Sequence, residues 1–247
     1  MMVKSKVKYI QSLSHKKLRD EDGVFIAEGP KIINELLDTG FIQTLEIFAT
    51  EEWLRNFEAK HGSLPPGATA VSDDELARIS FLTTPNQALG LFRQPVPKKP
   101  LLLRGKISLV ADGIQDPGNM GTIIRCADWF GIEQVICSKE CADAFNPKTV
   151  QSSMGSIARV AVFYEDLVAM MLENPGIDSY AATLSGTSLY EIGKIDEGMI
   201  LVGNESRGIS GEILKLATKQ ATIPRRGHAE SLNASVATGI LLSHLLR

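Results

Sequence analysis

The chain is short of cysteine, histidine, net charge and long apolar runs, and each shortage removes a class of protein. Three cysteines, Cys126, Cys137 and Cys141, occur in 247 residues. Their number is odd and no C-x-x-C pair is present, so a disulfide framework is not expected and a reducing cytoplasmic compartment is. Cys137 and Cys141 are near enough in sequence to share a metal. The four histidines, His15, His61, His228 and His244, supply no pair at ligand spacing, so no metal site is expected. A formal net charge of −3 excludes a uniformly basic nucleic-acid coat and leaves room for a local basic patch. No run approaches the ~18 apolar residues of a membrane span, so no membrane partner is expected. The first twenty residues, MMVKSKVKYIQSLSHKKLRD, are basic and lack the apolar core of a secretory signal. What remains is an ordinary globular balance, 44% hydrophobic and 22% charged. That apolar content offsets ordering entropy, and the length suits one large or two modest domains.

Pro95-Val96-Pro97-Lys98-Lys99-Pro100 reads as a linker, because three prolines in six residues favour an extended, solvated chain. It divides the sequence into an expected domain over 1–94 and another over 101–247. The first reads as a small α/β module. Basic residues over Lys4–Arg19 suggest a helix or arm, and Val24–Ala27 a strand. Pro30 suits the first turn of a helix through Leu37 that Gly40 ends. Thr44–Ala49 and Ala88–Phe92 read as strands, Glu51–Lys60 as a helix, and Ser72-Asp73-Asp74-Glu75 as a capping box. The second part alternates apolar strands (107–111, 134–137, 161–163, 179–183, 199–202, 221–223) with helices (120–130, 147–153, 165–172, 209–217, 232–246). Continuous apolar strands separated by helices predict a parallel sheet covered on both faces.

Three strand-to-loop junctions of the second part are rich in Gly, Asn and charge, and ligands of open α/β sheets sit at such junctions. The first, Asp112–Gly121, carries Asn119 as a candidate helix cap and leads to Arg125. Arg125 shares a cleft with Asn119 only if the first turn is wound as helix; the plain alternative is a tight loop and a solvated arginine. The second, Gly203-Asn204-Glu205-Ser206-Arg207-Gly208, crowds amide, carboxylate and guanidinium together. Either it is a turn with surface charges, or Gly203 admits a ligand to the backbone and Glu205 meets a cation or an arginine. The third runs Ile223-Pro224-Arg225-Arg226 to Ser231-Leu232-Asn233. Ser231 or Asn233 can cap the last helix, and Arg225 and Arg226 can hold phosphate. A nucleotide-dependent dehydrogenase needs G-x-G-x-x-G after the first strand of such a domain, and that turn is missing.

Taken together and in order, DPGNMGTIIR (116–125), LVGNESRGI (201–209) and IPRRGHAESLNASVATGI (223–240) resemble the three motifs of the SpoU (TrmH-like) branch of SPOUT RNA methyltransferases. FNPKTVQSSMG (145–155) resembles the segment that follows the first motif in that family. Ser12-Leu13, Lys17-Leu18-Arg19 and Ala27-Glu28-Gly29-Pro30 look like its substrate-binding domain, a small ribosomal-protein-like α/β fold.

The resemblance implies transfer of a methyl group from S-adenosylmethionine to a ribose 2′-hydroxyl of RNA. Ribosomal RNA is favoured over transfer RNA. A tRNA 2′-O-methyltransferase and a catalytically silent RNA binder are the alternatives, although a silent relative is expected to carry damaged motifs and these are intact. It further implies a C-terminal trefoil knot and a homodimer with residues of both subunits near each site. Gly203, Asn204, Ile223, Leu232 and Asn233 are the implied cofactor positions, with Thr183 and Leu184 lining the same pocket. Arg125 is implied at the hydroxyl, with Asn119, Glu205, Ser231 and Asn233 around it and Asn119 and Glu205 orienting Arg125. A guanidinium has a pKa above 12 and no acceptor, so Arg125 is read as positioning the 2′-oxygen and stabilising charge. RNA contact is expected from Lys16, Lys17 and Arg19, within a segment of six cations and no acid (residues 1–19), and from Arg225 and Arg226.

Overall fold

Two kinds of strand pairing separate the chain into two sheets. A computed structural model describes residues 2–97 and 101–246, and these form two compact units. The first comprises Met1–Val96 with Phe145–Ala158, the second Pro97–Ala144 with Arg159–Arg247. The expected second domain was continuous in sequence, whereas here a fourteen-residue excursion packs with the first unit. Of the expected linker, Pro95, Val96 and Pro97 have no regular structure, and Lys98, Lys99 and Pro100 lie outside the described residues.

The first unit begins with α1 (Lys4–Ser12) and α2 (Lys16–Asp22). β1 (Val24–Glu28), α3 (Pro30–Thr39), β2 (Thr44–Ala49) and α4 (Glu51–His61) follow. β3 (Ala68–Ala70), α5 (Asp73–Ile79) and β4 (Ala88–Arg93) complete the series. The sheet order is β1-β4-β2-β3, with only β2 and β3 parallel. Pro30 opens α3 and Gly40 closes it in the left-handed conformation, as the sequence suggests. The Ser72–Glu75 capping box forms reciprocally at α5. Ile10 and Leu13 join Val24, Ile26, Leu76 and Leu89 in one core cluster.

The expected single helix or arm over 4–19 is corrected to two helices, and the reason is Arg19. Only 1% of this residue is exposed. Its guanidinium donates to the carbonyls of Leu13 (2.7 Å) and Ser14 (2.9 Å), just past the end of α1. Those carbonyls lie where a helix leaves acceptors unsatisfied, and a buried cation takes the place of water. Arg19 is therefore removed from the expected RNA-contact set.

The second unit is wholly parallel. β5 (Ile107–Asp112), α6 (Pro117–Trp129) and β6 (Gln134–Cys137) lead to α7 (Pro147–Ser153), the helix that belongs to the first unit and packs on β1. The chain continues through β7 (Ala161–Tyr164), α8 (Leu167–Glu173), β8 (Ser179–Thr183) and β9 (Thr187–Ser188). β10 (Gly198–Gly203), α9 (Gly211–Leu216), β11 (Lys219–Thr222) and α10 (Ala234–Leu245) end it. The seven strands run β7-β6-β5-β10-β8-β11-β9. β5 and β10 are central and almost fully buried, which their unbroken apolar runs require. Val110, Ile136, Leu201 and Phe163 belong to one cluster, each such side chain contributing about 1.5–3 kcal/mol by burial. The two-residue strand β9 escaped sequence reading because it has no periodicity to detect. Among the described residues no helix is long and apolar enough to cross a membrane.

Candidate active site

Parallel pairing brings the ends of β5 and β10 level, with Gly203 opposite Asp112. The loops that follow therefore leave the sheet side by side. The Asp112 carboxylate accepts from the Ser210 amide at 2.7 Å and ties the far end of the second loop to the start of the first. Asn204 closes its own loop. Its backbone exchanges hydrogen bonds with Gly208, and its Oδ1 accepts from the Ser206 and Arg207 amides at 2.9 and 3.1 Å. Its Nδ2 donates to the Gly113 carbonyl at 2.9 Å, joining the two loops again. The side chain of Asn204, expected at the cofactor, is thus occupied in holding the loops.

Of the two sequence readings of Gly203, the backbone geometry shows the tight turn with Gly208. A Cβ there would stand 2.3 Å from the carbonyl carbon of Gly208 and from the Ile209 nitrogen. The loop doubles back against the strand end, so its own backbone excludes a side chain, before any ligand is considered.

The helix after the first loop starts three residues earlier than expected. Asp116, not Asn119, is its cap, accepting from the Asn119 amide at 2.9 Å, with Pro117 at the first helical position. The Asp-Pro pair was the readable signal. Relieved of capping, the Asn119 side chain points elsewhere: its Nδ2 donates to Glu205 Oε1, and its Oδ1 accepts from Asn233 Nδ2 at 2.9 Å. Asn233 in turn caps α10, its Oδ1 accepting from the amides of Ser235 and Val236. One hydrogen-bonded chain, Asn233–Asn119–Glu205, therefore links all three loops. Of the two candidate caps of α10, Asn233 takes the role and Ser231 does not; Ser231 is exposed and lines the cavity described next.

That cavity, of about 630 Å³, opens beyond the ends of β8, β10 and β11. Thr183, Leu184, Gly203, Asn204, Ile223 and Leu232 all line it, as do Glu205 and Ser231. Arg225 and Arg226 stand exposed at the same cavity, with Arg225 donating to the Ala229 carbonyl at 3.2 Å. Arg207, the guanidinium of the second loop, also lines it, as does Glu230, which has no sequence signal because a single charge in a polar loop carries none. The volume lies in the range of about 300–1,000 Å³ for small-molecule sites. Apolar walls from Ile223 and Leu232 suit an adenine ring, and Glu205 and Glu230 suit a cationic sulfonium or ammonium. The donor set therefore fits S-adenosylmethionine.

Arg125 is elsewhere. The first turn of α6 is wound, but six residues of helix carry Arg125 about 9 Å along and about 120° around from Asn119. It is exposed, does not line the cavity, and makes no hydrogen bond or ion pair among the described residues. The expectation that Asn119 and Glu205 orient Arg125 is thus not met: Asn119 bonds Glu205 and Asn233 instead. Lys16 and Lys17 are exposed and sit four residues before acidic partners, Asp20 at 3.0 Å and Glu21 at 3.8 Å.

Comparison with known proteins agrees with this geometry. A family model described as the SpoU rRNA Methylase family matches residues 106–243, and one described as an MRM3-like substrate binding domain matches residues 4–90. The chain is 32% identical, over 97% of its own length and 95% of the relative's, to the 23S rRNA (guanosine(2553)-2′-O)-methyltransferase RlmP of Bacillus subtilis (strain 168). A putative RNA methyltransferase of the TrmH family from Porphyromonas gingivalis superposes with a TM-score of 0.84 at 36% identity, covering 99% of this chain and 98% of that one. An AdoMet-bound rRNA methyltransferase from Sinorhizobium meliloti superposes with a TM-score of 0.83 at 30% identity, covering 99% and 95%. The linked motif loops, the cavity beside them and these likenesses lead to one conclusion: the chain belongs to the SpoU rRNA methylase family.

Proposed function

We propose that this chain methylates a ribose 2′-hydroxyl of ribosomal RNA in the cytoplasm, using S-adenosylmethionine held in the cavity beyond β8, β10 and β11. The observation that carries the reading is the Asn233–Asn119–Glu205 chain, which joins three segments far apart in sequence and whose Glu205 end lines that cavity; Asn119 and Asn233 themselves do not line it. Ribosomal RNA is preferred to transfer RNA because of the match to a substrate binding domain and the relative named for 23S rRNA.

The cofactor supplies an electrophilic methyl group when bound. Ile223 and Leu232 exclude water from its base, and Glu205, held by Asn119, places negative charge near a sulfonium. Arg225 and Arg226 hold RNA phosphate at the mouth. Arg125 aligns the 2′-oxygen and stabilises charge as its proton leaves to a phosphate oxygen or water.

The distance of Arg125 from its own cavity supports a site completed by a second copy. Trp129, one turn from Arg125 on α6, is 81% exposed; Val236 and Ile240 are exposed on α10, which packs against α6, and the exposed Tyr190 ring meets His244 of α10. An apolar face of this kind suits a homodimer interface. In this reading the segment after β10 is the family's threaded trefoil.

Ribose-methylation mapping of RNA from cells with and without the protein tests the activity. A single lost 2′-O-methyl mark in ribosomal RNA is expected; a lost mark confined to transfer RNA redirects the substrate, and no lost mark favours a silent binder. Mixing Arg125→Ala with Leu232→Arg tests the composite site. Partial recovery of transfer is expected, because one site in the mixed dimer is intact, and no recovery argues against sharing.

A further inference from the structure

The first unit holds a smaller cavity of about 230 Å³. Its walls come from three places: Ile26 and Glu28, alternate residues on one face of β1; Phe81 and Leu82, just after α5; and the face of α7 formed by Pro147, Lys148, Gln151 and Ser152. Glu28 is the unusual member. Its residue is 5% exposed, and it makes no ion pair among the described residues. Two donors hold the carboxylate still: Ser80 Oγ at 2.5 Å on Oε2, and the Phe81 amide at 2.8 Å on Oε1. Ser80 Oγ also accepts from the Leu82 amide at 3.1 Å, so the same contact shapes the loop that forms one wall. Burial pushes the proton affinity of Glu28 up, which is the cost of keeping a carboxylate without a cation.

We infer that this cavity binds a guanine base of the RNA substrate, resting on the reading that the chain methylates RNA. A carboxylate fixed by two donors keeps free lone pairs on both oxygens and offers only acceptors. Guanine is the base whose Watson–Crick edge presents two adjacent donors, the N1 imino and N2 amino groups. Uracil presents one donor flanked by acceptors and is disfavoured. Single-stranded RNA is read this way, by splayed bases lying between apolar or aromatic side chains with hydrogen bonds on the Watson–Crick edge. Phe81 and Pro147 supply the flat walls, and Gln151 and Ser152, which also line the cavity, carry an amide and a hydroxyl able to partner the remaining edge. Lys148, exposed at the same cavity, suits the adjoining phosphate.

The test uses the full-length chain and three labelled twelve-nucleotide RNAs: all uridine, uridine with one central guanosine, and uridine with one central inosine. Fluorescence anisotropy is expected to show the guanosine RNA binding about tenfold tighter than all-uridine, with inosine, which lacks the 2-amino group, between them. Glu28→Gln is expected to remove the preference. Ser152→Trp fills the cavity without touching the Ser80 and Phe81 bonds and is expected to do the same, with S-adenosylmethionine affinity and thermal midpoint unchanged. Absence of a guanosine preference in the wild-type chain overturns the inference. So does a preference that survives in both variants. Methyl transfer to ribosomal RNA is read in parallel: its absence, with the guanosine preference intact, counts against the proposed activity and not against this cavity.

Discussion

The C-terminal ends of one parallel sheet open onto two cavities, and their walls differ in kind. Beyond β8, β10 and β11 the lining is largely apolar, with Ile223 and Leu232 prominent. Beyond β5, β6 and β7 lies a cavity of about 440 Å³ whose wall carries five acids, Asp112, Glu140, Glu165, Asp166 and Glu212, against two cations, Lys139 and Arg207. Asn204, Arg207 and Gly208 line both, so the second motif loop is the partition. In doubly wound sheets a dinucleotide lies where strand order reverses, its pyrophosphate near a helix N-terminus. Here that position, between β5 and β10, is filled by linked loops, and the neighbouring acids repel phosphate. The apolar cavity instead suits a ligand with an adenine ring and positive charge. The missing G-x-G-x-x-G turn and the acidic wall thus exclude the dehydrogenase reading on two separate grounds.

Changes that separate the chemistry from both cavities are expected to have the largest effect. Arg125→Ala should lower methyl transfer at least about 100-fold while calorimetry with S-adenosylmethionine is unaltered, because Arg125 lines neither cavity. A parallel loss of cofactor affinity would break the distinction, and full rate in Arg125→Lys would sink a bidentate role.

Changing the character of each cavity comes next. Leu232→Asp should weaken cofactor binding by roughly 10- to 100-fold, since it desolvates a charge among apolar walls. Glu140→Gln with Glu165→Gln in the acidic cavity should leave that affinity within about twofold. Equal effects from the two would mean that the cavities are not distinct in function.

Cutting the link between loops should do less. Asn119→Ala frees Glu205 and leaves the Asn233 cap in place; turnover is expected to fall about tenfold with cofactor affinity little changed. Rapid-quench single-turnover rates would show it, and an unchanged rate would reduce Asn119 to a loop fastener.

The smallest effects belong to a similar inside-against-outside contrast in the first unit. Arg19→Ala should cost about 1–3 kcal/mol in denaturant unfolding, because two carbonyls lose their donor, without altering the salt dependence of RNA binding. Lys16→Ala with Lys17→Ala should flatten that dependence by about one to two charges and leave stability alone. A reversed pattern would return Arg19 to the RNA surface.

Much of the local structure was readable without coordinates. Pro30 and Gly40 bracket α3, Ser72 and Glu75 open α5, and unbroken apolar runs mark β5, β6 and β10. Each depends on near neighbours, so each leaves a trace in the order of residues. The Asp116 cap has an equally local trace, the Asp-Pro pair, which competes in sequence with Asn119. The break at Ser14 was not readable. It exists because Arg19 turns inward, and nothing distinguishes that arginine in sequence from the lysines at 16 and 17. Membership of α7 in the first unit was hidden for a similar reason, since a seven-residue helix does not announce which sheet it covers.

By itself, then, the sequence determined most of the strands and helices, the bounds of α3 and the capping box of α5, the parallel character of the second sheet, and the three motifs that mark the family. Tertiary structure decided what those motifs do to one another. Asn119 meets Glu205 across 86 residues and Asn233 across 114 because the strand order places β5 beside β10, with β8 and β11 beyond. It decided that Gly203 is glycine for the sake of its own returning loop, that Asn204 is a fastener, and that Arg125 stands outside the cavity it was expected to serve. The physical reason is that backbone conformation follows local propensity, whereas convergence of side chains follows strand order and packing, which no segment of the chain carries alone.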